Sequence, residues 1–160
     1  MDKVEVILKN NKKGNVRKVR IHELWKLMII QKKSFGIITM PLIQTLFEHI
    51  TKKVHFRVVE QNNKLLGYIG IQQINITQSR INIIGVLPNK QHLGVGRALM
   101  RSAHEYPIND TTESIILNVR ISNKYALDLY KSLGYHIVHI QEGYYNRPKE
   151  DGYYMQKNIT

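Results

Sequence analysis

Apolar and polar positions divide the chain into stretches of two periods. Val4 to Lys9 alternates in part and runs into Asn10-Asn11-Lys12-Lys13-Gly14-Asn15, a turn cluster. Val16 to Arg20 returns as a second strand, which predicts an N-terminal hairpin. From Ile21 the period changes, and Ile21, Leu24, Trp25, Leu27 and Met28 fall on one helical face. Ser34 to Ile38 reads as a loop. Thr39 with Pro41 just behind it gives a cap and a first-turn proline, opening a second helix through Leu42, Ile43, Leu46, Phe47 and Ile50.

The second part returns to the strand period. Val54 to Val59 predicts a strand and Gln61 to Lys64 a turn. Leu65 to Thr77 reads as a long strand paired with Arg80 to Val86 across Gln78-Ser79. A glycine-containing loop then feeds a helix that Pro107 stops near Tyr106. Ile115 to Val119 predicts a strand, Asn123 to Leu133 a helix closed by Gly134, and Tyr135 to Ile140 and Gly152 to Lys157 the last two strands. With no repeat, low-complexity tract or linker, residues 1–160 are expected to form one α+β domain. Residues 1–15 read as an N-terminal strand or hairpin extension.

Composition narrows the chemistry. At 160 residues the chain is long enough to bury about two thirds of its unfolded surface. It has no cysteine, which removes disulfides and thiolate metal sites. No apolar run approaches the roughly 20 residues that span a bilayer, and the first residues do not resemble a signal peptide, so a cytoplasmic protein is expected. The net charge of +12, from 24 Lys and Arg against 12 Asp and Glu, favours an anionic partner. The basic residues stand in scattered pairs, Lys12-Lys13, Lys32-Lys33 and Lys52-Lys53, without an aromatic-and-basic motif. Nucleic acid is therefore not the expected partner.

The segment Gln91-His92-Leu93-Gly94-Val95-Gly96 lies between an apolar β-branched run ending at Leu87-Pro88 and the helix-like Arg97-Ala98-Leu99-Met100. A strand passing through glycines into a helix start suits a phosphate, because the first helical amides lack carbonyl partners and the dipole is positive there. The same glycines also fit a plain tight turn with close packing. The third glycine of a dinucleotide fingerprint and the Gly-Lys-Ser/Thr of a P-loop are both missing.

Two segments carry a family resemblance. Ile83 to Met100, with its Gln91-x-x-Gly94-x-Gly96 core, resembles the acetyl-CoA segment of the GNAT superfamily of N-acetyltransferases. Asn118-Val119-Arg120-Ile121-Ser122-Asn123-Lys124-Tyr125-Ala126-Leu127-Asp128-Leu129-Tyr130-Lys131-Ser132-Leu133-Gly134-Tyr135 resembles its second signature. Within the superfamily the chain looks most like protein N-terminal acetyltransferases, including the ribosomal-protein type, through Val119 to Asn123 and the Tyr144-Tyr145 and Asp151-Gly152-Tyr153-Tyr154-Met155 tail. The resemblance implies a mixed, mostly antiparallel sheet of six to seven strands flanked by four helices, with the family's fourth and fifth strands parallel and splayed.

It also implies roles. Backbone groups of Gly85, Val86 and Leu87 would hold the pantetheine arm of acetyl-CoA. Gln91, His92, Leu93, Gly94, Val95, Gly96 and Arg97 would receive the pyrophosphate, and Asn123 would bond the pantetheine amides or simply cap its helix. Tyr130 would be the general acid at the sulfur, and the Val86 amide the oxyanion donor. Asn118 stands where relatives carry a Glu or His base. An amide accepts no proton, which leaves a held water, shared with Asn82, as the alternative. His136 and His139, three apart on a strand, are expected on opposite faces. Phe35, Gly36, Ile37, Tyr144 and Tyr145 would line the acceptor groove, and Glu142, Glu150 and Asp151 would add negative charge for a cationic amine. No metal is implied.

The expected function is acetyl transfer from acetyl-CoA to a primary amine, with a protein or peptide N-terminus, such as that of a ribosomal protein, as acceptor. A small-molecule amine acceptor and a non-catalytic acyl-CoA-binding module stay open as alternatives. The N-terminal extension is expected to lengthen the sheet or to serve a homodimer contact.

Overall fold

The computed structural model describes residues 3–9, 11–36, 47–51 and 54–159. The Asn-rich cluster reverses the chain as expected and joins β1 (Lys3–Ile7) to β2 (Lys13–Lys18) in an antiparallel pair, Val4 opposite Val16. The second strand begins three residues early, inside the cluster, because only the tip bends. Leu8 N–H donates to the Lys12 carbonyl at 3.0 Å, and Asn11, at φ 55°, donates to Leu8 at 2.9 Å.

The first helix, α1 (Leu24–Phe35), follows a short 3-10 turn at Ile21–Glu23. Its buried residues are Leu24, Leu27, Ile30 and Gln31; Ile21 and Trp25, read onto the same face, are exposed. A buried ion network sets its approach to the sheet. Arg17 on β2 donates to both carboxylate oxygens of Glu23 at 2.8 Å, and its Nε donates to Glu60 at 2.8 Å. Glu23 also accepts the Arg20 N–H at 3.1 Å, closing the turn before the helix. The expected start of the second helix, Thr39 to Leu46, lies outside the described residues. Residues 47–50 are helical, with Phe47 and Ile50 exposed.

The central strands are β3 (His55–Gln61), β4 (Lys64–Gln73) and β5 (Gln78–Val86). The turn between the last two falls at residues 74–77, earlier than Gln78-Ser79, because the Asn75 side chain accepts the Thr77 N–H at 3.0 Å and tightens the reversal. After β5 come α2 (Val95–Glu105), β6 (Ser114–Arg120), α3 (Lys124–Ser132), β7 (His136–Asn146) and β8 (Lys149–Asn158).

The strands form one sheet of eight, in the order β1-β2-β3-β4-β5-β6-β8-β7. The expected six to seven strands are thus corrected to eight, because the N-terminal hairpin joins the sheet edge on its own backbone hydrogen bonds. Among the described residues, β5 and β6 are the only neighbouring pair that runs parallel. Successive residues of the central strands feed two cores. Val59, Leu66 and Ile69 pack with Leu99, Met100 and Leu127 of α2 and α3, while Val58, Leu65 and Tyr68 pack with Leu24, Leu27 and Ile30 of α1. Arg57, buried and with no carboxylate partner among the described residues, donates to the Ser102 and Tyr106 carbonyls at the end of α2. Burial lowers its pKa to about 10.

One register shift changes a side-chain expectation. His136 pairs with Gln156 and Ile137 with Met155, but Tyr154 pairs with His139, so Val138 is an extra residue in β7. That bulge resets the alternation and puts His136 and His139 on the same face, contrary to simple spacing. His139 stacks on Tyr154, with ring centroids 4.7 Å apart.

Candidate active site

The parallel strands part company midway. Pairing runs from Gln78 opposite Ser114 to Ile81 opposite Leu117, yet β5 continues to Val86 and β6 to Arg120. Beyond that point the two strands diverge, and backbone groups of β5 face the opening. At the end of β5, Leu87 N–H donates to Leu66 on the β4 side at 2.9 Å. One residue earlier, the alternation of an antiparallel ladder turns the Val86 N–H and C=O toward the gap. The Val86 carbonyl accepts Ser34 Oγ from α1 at 2.9 Å, with Gln91 Nε2 at 3.5 Å. A shallow depression lined by Lys33, Leu87, Pro88 and Asn89 adjoins this point.

At the mouth of the gap, residues 91–94 form the turn into α2. Gly94 is its N-cap at φ 85°, a left-handed conformation that glycine adopts without strain, and no side chain caps the helix. The first-turn amides of Val95, Gly96 and Arg97 are therefore open to an anion. A Cβ on Gly96 would stand 3.4 Å from Leu129 of α3, an ordinary contact. Gly85 is fixed by packing: its Cβ would meet the Tyr68 ring at 2.8 Å. Arg97 turns aside, its guanidinium donating to Ser132 Oγ at 2.7 Å. His92, at φ 63°, packs edge-on against Tyr125, centroids 4.5 Å apart.

Across the gap, Asn123 caps α3, its side chain accepting the Ala126 N–H at 3.1 Å. Tyr130 is buried on α3, its ring 6.0 Å from that of Tyr135. Burial pushes its phenol well above the ordinary tyrosine value, with Tyr145 adding to the effect. Asn118 on β6 donates through Nδ2 to Gln141 Oε1 on β7, and Asn82 donates to Gln72 at 2.9 Å. The two asparagines expected to share a water are thus each bound to a glutamine.

The acceptor-side residues divide. Tyr144 and Tyr145 meet edge to face, centroids 4.9 Å apart, and the Arg120 guanidinium lies 4.2 Å over the Tyr145 ring. Burial, followed by the effect of Tyr144, pushes the Tyr145 phenol up to about 12. Arg120 also bonds Glu150 at 3.0 Å, and Glu150 accepts the Ser122 N–H at 2.6 Å. Ser122 first and Arg120 after it hold the Glu150 carboxyl below its usual range. Asp151 accepts the Gly143 N–H at 2.7 Å. Glu150 is thus engaged by the end of β6 and the residues after it, and Asp151 within the β7–β8 hairpin. Phe35 is exposed at the end of α1, Gly36 closes that helix at φ 74°, and Ile37 lies outside the described residues.

Ser34 at Val86, Gln141 at Asn118 and Arg120 over Tyr145 escaped the sequence reading. Each is a contact between residues far apart in the chain, and none carries a local spacing signal. Among the described residues there is no cluster of three metal-ligating side chains, and no helix is long and apolar enough to cross a membrane.

A mixed sheet opened between two parallel strands, with an uncapped glycine turn at its mouth, is the acyltransferase architecture that the two sequence segments resemble. The chain belongs to the acetyltransferase (GNAT) family, whose model matches residues 21–135, and is an acetyl-CoA-dependent N-acetyltransferase. It is 31% identical over 151 residues to a Bacillus subtilis (strain 168) protein provisionally named ribosomal protein bS18-alanine N-acetyltransferase; the match covers 92% of this chain and 97% of that one. Its fold matches that of the Escherichia coli ribosomal-protein-S18-alanine N-acetyltransferase with a TM-score of 0.81 at 23% identity, covering 92% and 94% of the two chains. Salmonella typhimurium yncA, solved with its cofactor acetyl-CoA, matches with a TM-score of 0.79 at 15% identity, covering 92% and 94%.

Proposed function

We propose that this enzyme acetylates the α-amine of a protein N-terminus, and that an alanine N-terminus of a ribosomal protein is the acceptor to test first. The observation that carries the site assignment is the β5–β6 divergence after Ile81 and Leu117, with the Val86 peptide facing it. The acceptor class rests on the relative matched over nearly its whole length. Such an acceptor implies a cytoplasmic site of action.

The residues present fit acetyl-CoA: two parallel strands whose pairing stops at Ile81 and Leu117, the Val86 peptide pointing into the opening, and open helix amides at its end. The cofactor supplies an acetyl group activated as a thioester. Val86 holds the pantetheine arm through its backbone groups, while Gly85 and Leu87, whose own peptide groups turn to the β4 side, flank it and shape that wall of the gap. Residues Gln91 to Arg97 receive the pyrophosphate chiefly through amides, since the Arg97 side chain is engaged with Ser132. The Oδ1 of Asn123 is spent on its helix, which leaves Nδ2 as its donor to the pantetheine. The Val86 N–H stabilises negative charge on the carbonyl oxygen under attack. Tyr130, kept protonated by burial, delivers a proton to the departing sulfur.

Asn118 and Gln141 form a neutral pair that orients the attacking amine and a water without taking a proton, and that water passes the proton lost by the nitrogen to solvent. Phe35, Gly36, Tyr144 and Tyr145 wall the acceptor groove. The test is acetyl transfer, followed by mass spectrometry, to peptides beginning with Ala, the same peptides with a blocked N-terminus, and a set of polyamines. Acetylation of the free peptide N-terminus alone is expected. Polyamine acetylation without peptide acetylation overturns the acceptor assignment.

A further inference from the structure

We propose that Lys9, at the end of the N-terminal hairpin, is a phosphate-binding residue of the acetyl-CoA site. The proposal rests on the assignment of residues 91–97 as the pyrophosphate cradle. Two contacts bring the extension to that cradle. The Lys9 N–H donates to the Leu93 carbonyl at 3.0 Å, which ties the tip of the hairpin to the glycine turn. The Lys9 Cγ lies 3.7 Å from where a Cβ on Gly94 would stand, so the aliphatic stem runs along the turn itself. The attachment is anchored from below, because the preceding Leu8 is buried in the same core as Val95 and Leu99 of α2.

Charge points the same way. Lys13, on the other arm of the hairpin, pairs with Glu5 at 3.2 Å, and Arg97, the cation of the cradle itself, is directed to Ser132. Among the described residues Lys9 makes no ion pair. It therefore stands beside the open amides of α2 as a cation with no counter-ion among the described residues, and a four-carbon stem that starts along the turn is long enough to bring the ammonium to a diphosphate held there. The hairpin is then a working part of the cofactor site as well as an edge of the sheet. A lysine contributes a point charge there and needs no fixed geometry.

The experiment is calorimetric binding of CoA to the full chain and to Lys9→Met, Lys9→Glu and Lys9→Arg. Met keeps the stem against Gly94 and removes the charge, so a purely packing role survives it. Loss of one exposed phosphate contact predicts about fivefold weaker binding for Lys9→Met and a larger loss for Lys9→Glu. Lys9→Arg should bind within about twofold of the natural protein, because the charge is retained. The fall of affinity with added salt should be shallower for Lys9→Met. Equal CoA affinity and equal salt dependence for Lys9→Met and the natural protein would overturn the role of Lys9 and leave the cradle standing. Failure of the natural protein to bind CoA would overturn the cradle, and Lys9 with it.

Discussion

Asn118 on β6 and Gln141 on β7 face each other as two carboxamides, the Nδ2 of the first donating to the Oε1 of the second. Neither titrates at any working pH. The lower limb of the pH profile of kcat/KM should therefore follow the acceptor amine, near pH ~8 for a peptide α-amine, and move when an acceptor of different amine pKa is used. Asn118→Glu should pull that limb to lower pH by adding a base. A limb that stays put across two such acceptors would show that the enzyme carries a base elsewhere.

Tyr130 offers a second test. Burial raises its pKa, so the phenol remains a proton donor throughout the neutral range. Tyr130→Phe should lower kcat about 100-fold while CoA affinity stays within about twofold. Turnover indistinguishable from the natural enzyme would remove Tyr130 as the acid.

Gly85, within β5, and Gly94, at the N-cap of α2, should respond differently to alanine. Gly85→Ala puts a methyl 2.8 Å from the fully packed Tyr68 ring and should cost about 2 kcal/mol of stability, partly restored by Tyr68→Leu. Gly94→Ala meets only ordinary contact with Lys9 but must hold φ 85°, a strain of about 1–2 kcal/mol. Urea unfolding measures both. Equal loss in Gly85→Ala with and without Tyr68→Leu would refute the packing explanation.

Acid should unfold the protein in two stages. Burial, with smaller effects from Lys157 and Arg101, lowers the His104 pKa from 6.5 to about 4. The unfolded chain thus binds the extra proton first, and this contribution is complete above pH 6.5 and lost between 6.5 and about 4. The hydrogen bonds from Arg17 lower Glu23 from 4.5 to about 2, so its contribution is complete above pH 4.5 and lost toward pH 2. Each stage should be on the order of 2 kcal/mol. His104→Gln, which can still bond the Tyr135 hydroxyl, should erase the upper stage alone in urea titrations at stepped pH. A variant with an unchanged upper stage would exclude His104 as its source.

Much of this architecture was legible in one dimension because its causes are local. The Asn-rich cluster, the change of period at Ile21 and the glycine turn before α2 each act within a few residues, and the hairpin, α1 and the loop appear where those signals stand. What was hidden depends on neighbours distant in sequence. Asn75 rather than Gln78-Ser79 makes the β4–β5 reversal, because a side-chain acceptor outweighed composition. Val138 bulges out of β7 and brings His136 and His139 to one face, which spacing alone forbids. Gly85 was legible as a site glycine, but its cause, the Tyr68 ring, needed the sheet register. Asn118 could be singled out as a departure from its relatives' pattern, whereas its partner Gln141 could not.

The parting of β5 and β6 after Ile81 and Leu117 has a consequence beyond catalysis. A polyamide arm lying there, as proposed, would complete the hydrogen-bonding pattern of the main chain, and the ligand would behave as a detachable piece of secondary structure. Loading and unloading then alternately finish and unfinish the scaffold. Amide hydrogens near Val86 should exchange slowly in the loaded enzyme and quickly in the empty one, linking the rigidity of this region to the cell's supply of its donor.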